Sequence, residues 1–108
     1  MLTASAIVFA LAALGGLVLA FREERPLSVA IIHGLVAATG LVLLIIAVIQ
    51  GASGTLPLTA LVLFVIAALG GFVLFSFHLR NRPLPKGLIF LHGLLAVIGE
   101  ILLIIAIL

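Results

Sequence analysis

The chain contains a long run without charge, Leu27-Ser-Val-Ala-Ile-Ile-His-Gly-Leu-Val-Ala-Ala-Thr-Gly-Leu-Val-Leu-Leu-Ile-Ile-Ala-Val-Ile49. This run is longer than the about 20 residues that an α-helix needs to cross the hydrocarbon of a bilayer. Three further apolar runs precede and follow it, at Leu2–Phe21, Leu56–Phe77 and Gly87–Leu108. The sequence therefore predicts four membrane-spanning helices.

The composition excludes an ordinary soluble domain. Of the 108 residues, 67% are hydrophobic and 7% are charged, whereas soluble domains average about 45–50% apolar and about 25% charged residues. The chain is too short for a transmembrane β-barrel and lacks its alternating pattern, so helices are the structure that satisfies the backbone in lipid. We predict an all-α, integral membrane four-helix bundle that forms a single transmembrane domain over residues 1–108.

The two halves of the chain repeat each other. The segment Ala12-Ala-Leu-Gly-Gly16 recurs as Ala67-Ala-Leu-Gly-Gly71, and Arg25-Pro-Leu27 recurs as Arg82-Pro-Leu84. We therefore predict two duplicated helical hairpins, residues 1–52 and 53–108, related by a pseudo-twofold axis along the membrane normal. The Gly-Gly segments lie among apolar residues in mid-helix, so we interpret them as sites of close helix crossing or of a local kink.

Basic residues mark one side of the predicted bundle. All lysines and arginines lie in or beside the first and third connections, and the middle connection carries no charge. The positive-inside rule predicts that these two loops are cytoplasmic and that both termini lie outside, as in a multi-pass protein of the bacterial inner membrane. The basic loops anchor the bundle, and no nucleic-acid partner is predicted. The basic residues are Arg22, Arg25, Arg80, Arg82 and Lys86.

A histidine occupies the same place in each half. The segment His33-Gly-Leu-Val-Ala-Ala-Thr-Gly40 matches His92-Gly-Leu-Leu-Ala-Val-Ile-Gly99. An imidazole is costly in lipid and is by default a functional candidate. We predict that His33 and His92 lie at equal depth on the second and fourth helices and ligate one haem iron from both faces. In a helix, the small residues that follow each histidine by four and seven positions lie on the same face as the histidine and leave room for the macrocycle. These residues are Ala37, Gly40, Ala96 and Gly99.

A four-helix membrane bundle with paired histidines resembles the small b-type cytochromes. The resemblance covers the whole chain as architecture and rests on His33 and His92 as residues. It implies one b-type haem and a role in electron transfer or in haem storage, carriage or sensing. The partners that this role implies are the lipid bilayer and a redox protein or quinone. Arg25 and Arg82 lie close enough to the expected site to pair with the haem propionates.

The number of histidines limits the number of haems. Di-haem relatives of this architecture have four axial histidines, two toward each membrane face, whereas this chain has three histidines. We expect one haem per chain, or one shared within a homodimer. His78, at the cytoplasmic end of the third helix, is predicted to be an interfacial residue. The alternative is that it lies at the haem edge or replaces His92 as a ligand. No acid–base or nucleophilic constellation accompanies the pair, so no self-contained enzyme is predicted.

Glu100 lies deep in an apolar run, where a carboxylate must be neutralised, paired or hydrated. One interpretation is a proton-accepting or cation-binding site in a small oligomeric transporter or ion-coupled carrier. Another is a protonated acid that is hydrogen-bonded to Ser5, Thr39 or Gln50, or an acid near the outer surface. A further alternative for the whole chain is a structural subunit of a membrane complex, in which the histidines hydrogen-bond across the bundle and the small residues only allow close packing.

Overall fold

The computed structural model describes residues 1–52 and 54–108, and over these ranges the chain forms four α-helices. They are α1 (Leu2–Phe21), α2 (Leu27–Ile49), α3 (Thr55–Leu79) and α4 (Lys86–Ile107). The predicted all-α bundle is confirmed, with α1 and α2 at the predicted bounds and small shifts at the ends of α3 and α4. Ser53, the first residue of the second predicted repeat, lies outside the described residues.

Proline and residues with positive φ set the ends of the helices. Pro26 and Pro85 stand immediately before α2 and α4 in extended conformation, where a proline costs no intrahelical hydrogen bond. The chain turns after α2 at Gly51 (φ 106°) and after α3 at Asn81 (φ 52°). These left-handed residues close a Schellman turn that satisfies the last carbonyl groups of each helix.

The helices pack as two hairpins that meet side by side. Contacts are extensive between α1 and α2 and between α3 and α4, and they are smaller between α1 and α4 and between α2 and α3. In cross-section α1 therefore lies diagonally across from α3, and α2 lies diagonally across from α4. We call the surface along which the two hairpins meet the hairpin seam.

The core is apolar and follows the axis of the bundle. Leu44, Ala60 and Leu103 have no exposed surface, and the rings of Phe9 and Phe64 are almost completely buried. Small residues let the backbones approach at this level, as is typical of helix packing in membranes. The other buried apolar side chains of the described residues are Ala6, Ala12, Ala47, Pro57, Ala67 and Leu74.

The outward faces of the helices are apolar. Phe21, Phe72 and Phe90, for example, are 85%, 71% and 70% exposed. Soluble monomers rarely expose apolar surface over more than a few hundred Å², whereas here it covers the sides of every described helix. All four helices of the described residues are also long and apolar enough to cross a membrane. The chain is a multi-pass membrane protein.

The two ends of the bundle differ in charge. Arg25 from the α1–α2 connection and Arg82 from the α3–α4 connection line a common cleft, and we call this the basic end. Met1, Gln50 and Ile107 line a cleft at the opposite end, which we call the terminal end. The functional candidates can be placed relative to these two ends.

Candidate functional site

A backbone carbonyl of the neighbouring helix holds each of the two matched histidines. The Nδ1 atom of His33 lies 2.7 Å from the carbonyl oxygen of Ala12, and that of His92 lies 2.7 Å from the carbonyl oxygen of Ala67. A carbonyl oxygen can only accept a hydrogen bond, so each Nδ1 carries a proton and donates it. In the neutral ring, Nε2 then keeps a free lone pair, which is the form that binds a metal.

Two glycines give the imidazole rings their space. A Cβ atom added to Gly16 would lie 3.0 Å from Cε1 of His33, and one added to Gly71 would lie 3.1 Å from Cε1 of His92. Cβ contacts this short are uncommon, so the ring would have to shift if either glycine were replaced. The repeated Ala-Ala-Leu-Gly-Gly segments are therefore close helix contacts, as predicted, and each also provides the carbonyl and the space that position a histidine.

The two histidines meet across the diagonal between α2 and α4. Their ring centroids are 6.2 Å apart, their planes are inclined by 81°, and both rings are half-buried. Two imidazoles on opposite sides of one metal atom have ring centres about 6 Å apart, because each metal–nitrogen bond is about 2 Å long. The observed centroid distance of 6.2 Å is close to this value.

The histidine pair by itself supplies two ligands to a metal atom. A structural zinc ion takes four protein ligands, and the described residues contain no group of three or more His, Asp or Glu that could hold a metal ion. A haem iron needs two ligands from the protein, because the porphyrin nitrogens occupy the other positions. His33 and His92 supply that number.

Aromatic rings fill the space beneath the histidine pair. A Cβ atom added to Gly40 would lie 3.0 Å from ring atoms of Phe9, and one added to Gly99 would lie 3.0 Å from a ring atom of Phe64. The two phenyl rings stack on each other with their centroids 3.7 Å apart. Gly40 and Gly99 thus make room for side chains of this chain, and the phenyl pair forms an apolar floor. The other small residues predicted there, Ala37 and Ala96, are half-buried.

The cleft at the basic end contains the two arginines that were predicted to serve the site. Arg25, Arg82 and His78 line it together with Glu23, and its volume is about 290 Å³. The Nε atom of Arg25 donates a hydrogen bond to the carbonyl oxygen of Leu19, near the end of α1. The structure therefore brings one arginine from each hairpin to the same polar cleft.

His78 lies apart from the histidine pair. Its ring is nearly parallel to that of Phe75, with centroids 6.4 Å apart and planes inclined by 16°, and it lines the cleft at the basic end. His92 and not His78 is the ring that faces His33. A role for His78 beside a haem edge stays a prediction.

Glu100 is half-buried on α4, and its Oε1 atom is enclosed with no hydrogen-bond partner among the described residues. The hydroxyl groups that the sequence suggested as partners are engaged elsewhere. Ser5 donates to the carbonyl of Gly40 (3.1 Å), and Thr39 donates to the carbonyl of Leu35 (2.9 Å). The predicted hydrogen bond from Ser5, Thr39 or Gln50 to Oε1 of Glu100 is not made among the described residues.

The phenyl pair is the part of the site that sequence reasoning missed. Phe9 and Phe64 precede Gly16 and Gly71 by seven residues in each half, so each ring lies on the same helix face as the glycine beside a histidine. This equal spacing in two repeats is the signal that would have found it.

The chain matches no protein-family model, no curated protein and no solved structure. Its function is therefore inferred from the geometry of its own residues. The arrangement that invites a chemical interpretation is a pair of oriented imidazoles at the hairpin seam, with an aromatic floor on one side and two arginines on the other.

Proposed function

We propose that this chain is a membrane haem-binding protein in which His33 and His92 are the axial ligands of one b-type haem. The geometry of the pair carries this assignment. Each Nδ1 donates to a backbone carbonyl, which leaves both Nε2 atoms available, and the ring centroids are 6.2 Å apart. A bound haem supplies one-electron redox chemistry. The role is electron transfer, or haem storage, carriage or sensing.

The hydrogen bonds at Nδ1 prepare the histidines as ligands. Such bonds fix the tautomer and the orientation of the ring, and they raise the basicity of the coordinating nitrogen. The acceptors here are the backbone carbonyls of Ala12 and Ala67. Because a helix backbone cannot rotate away as a side chain can, the packing of each hairpin holds its ligand in place.

The hairpin seam is where the macrocycle would lie. His33 belongs to one hairpin and His92 to the other, so a single iron atom would link the two. Contacts across the seam are less extensive than contacts within each hairpin, and a flat ring can enter there with the least loss of packing. Gly40, beside the phenyl floor, is seven residues from His33, or about 10 Å along the helix.

Two arginines favour an orientation of the haem in which its propionates point toward the basic end. The guanidinium of Arg25 is hydrogen-bonded to the carbonyl of Leu19, three residues or about 4.5 Å along α1 from Gly16, which contacts His33. Arg82 lines the same cleft. Guanidinium groups at this level would form charge-assisted hydrogen bonds with carboxylates. The positive-inside rule assigns the basic end to the cytoplasm of a bacterial cell and both termini to the other side.

Visible absorption spectroscopy tests the assignment. The purified protein in detergent is loaded with haem, freed of excess, and measured in the oxidised and dithionite-reduced states. The wild type should give a six-coordinate low-spin spectrum with one haem per chain. His33→Ala and His92→Ala should each lose this spectrum. His78→Ala is the matched control, since it removes an imidazole outside the pair, and it should keep the spectrum.

The outcomes are separable because folding is measured independently. Circular dichroism must show that each variant keeps its helix content. A wild-type protein that binds no haem overturns the assignment and favours histidines that serve only helix packing. A spectrum that survives His92→Ala but is lost in His78→Ala would make His78 the second ligand, and the proposed pair would be wrong.

A further inference from the structure

A buried polar atom lies outside the histidine site, namely Oε1 of Glu100. It is enclosed by protein and has no hydrogen-bond partner among the described residues. Glu100 lies seven residues before the end of α4 at Ile107, or about 10 Å from that end along the helix, which places it within the hydrocarbon region. The equivalent position in the first hairpin is Leu41, so the acid is not required by the fold.

An ionised carboxylate at this place would have no lysine or arginine as a counter-ion. All lysines and arginines of the chain lie in or beside the two connections at the basic end, and His92 is eight residues away, or about 12 Å along α4. A buried charge without a partner is far more costly than the same group with a proton bound. The protonated form is therefore the less costly state of this carboxyl group.

A cleft opens at the terminal end of the bundle, the end of α4 that is nearer to the acid. Its volume is about 450 Å³, and residues of α1, α2 and α4 line it, among them Thr3, Ala47 and Ala106. Ala106 is six residues from Glu100, or about 9 Å along α4. Leu103, which has no exposed surface, lies between them on the helix. The cleft therefore ends about 9 Å short of Glu100 along α4.

We propose that Glu100 is a proton-binding site within the membrane, which holds a proton at rest and exchanges it with the terminal side, the nearer end of α4. The exchange breaks and re-forms only the O–H bond of the carboxyl group, with water from the terminal side as acceptor and donor. A haem at the histidine pair is not required for this site. The enclosed, unpartnered carboxyl oxygen within the membrane, far from every lysine and arginine, carries the inference.

Infrared difference spectroscopy of the protein in lipid vesicles tests both parts. Subtraction of the Glu100→Gln spectrum from the wild-type spectrum should isolate the C=O stretching band of one protonated carboxyl group. Transfer of the vesicles to D2O should shift this band to lower wavenumber, because the proton is replaced by deuterium. Absence of the band means an ionised side chain and overturns the site. A band that never shifts in D2O means a sealed acid and overturns the exchange path.

Chemical modification provides a second readout. Dicyclohexylcarbodiimide enters bilayers and reacts with protonated carboxyl groups, so peptide mass spectrometry should find it on Glu100. A water-soluble carbodiimide should modify the exposed Glu23 and Glu24 instead. The Glu100→Leu variant carries the leucine that the first hairpin has at the equivalent position, Leu41, and it serves as the folded, unmodified control. Equal reaction of Glu100 with both reagents would show a hydrated surface acid and would contradict the proposal, whatever the haem experiment gives.

Discussion

The phenyl rings of Phe9 and Phe64 stack face to face in the core, with centroids 3.7 Å apart and planes within 1° of parallel. They belong to α1 and α3, so they join the two hairpins across one diagonal of the bundle. His33 and His92 join them across the other diagonal. The hairpin seam is thus crossed by an aromatic pair and a polar pair at two different depths.

The aromatic pair should couple the two hairpins energetically. We expect a double-mutant cycle of Phe9→Leu and Phe64→Leu to give a coupling free energy of about 0.5 kcal/mol, the low end for aromatic pairs, because parallel rings with little offset are not the preferred geometry. Unfolding in mixed micelles followed by circular dichroism measures it. Phe72→Leu, at an exposed position, is the control. Additive effects of the two substitutions would show that the pair does not join the hairpins.

Gly34 and Gly40 follow His33 on α2 by one and seven residues, and they should respond differently to replacement by alanine. A Cβ atom on Gly40 would meet the ring of Phe9 at 3.0 Å, whereas one on Gly34 would meet nothing within 4 Å. Gly40→Ala should lower the free energy of unfolding by about 1–3 kcal/mol through overpacking. Gly34→Ala should leave it unchanged or raise it by up to about 1 kcal/mol through helix propensity. Equal effects of the two substitutions, measured in the same micelles, would contradict the close contact with Phe9.

Gly16 should matter for haem binding because it lies against the ligand ring. An added Cβ atom would approach Cε1 of His33 to 3.0 Å at Gly16, but its nearest contact at Gly15 would be an ordinary 3.6 Å. We expect Gly16→Ala to weaken haem affinity about 10-fold or more, as for other changes that disturb the orientation of a metal-binding histidine. Gly15→Ala should bind nearly as the wild type does. Haem titration followed by absorption gives both affinities, and an unaffected Gly16→Ala would rule out this positioning role.

Ser5 makes a hydrogen bond that the second hairpin lacks. Its hydroxyl donates to the carbonyl of Gly40 at 3.1 Å, and Ala60 occupies the equivalent, fully buried position. Ser5→Ala should lower the free energy of unfolding by about 0.6 kcal/mol, the average for side-chain hydrogen bonds in membrane bundles. Ala60→Ser offers the reciprocal test, since a hydroxyl there has the matching carbonyl of Gly99 within the repeat. A stabilising Ser5→Ala would show that the bond contributes nothing.

Much of the architecture is readable from the order of residues because the bilayer imposes strong constraints. A helix must satisfy its own backbone in lipid, so the run from Leu27 to Ile49 and its three counterparts are long and uncharged. The matched segments beginning at Ala12 and Ala67 also reveal the two hairpins, since a repeated pattern forms repeated contacts. His33 and His92 are conspicuous for the same reason, because few polar side chains are tolerated in such a setting.

The partners of these side chains depend on how the helices are rotated and which ones lie on a diagonal, and hydropathy does not encode either. Periodicity places Gly40 on the face of His33, but packing determines that the ring of Phe9 fills the space beside it. Likewise, the carbonyl of Ala12 becomes the partner of Nδ1 only because α1 and α2 meet at this height. Apolar surfaces fit one another in many arrangements of similar energy, and the interlocking of particular rings and glycines selects one of them.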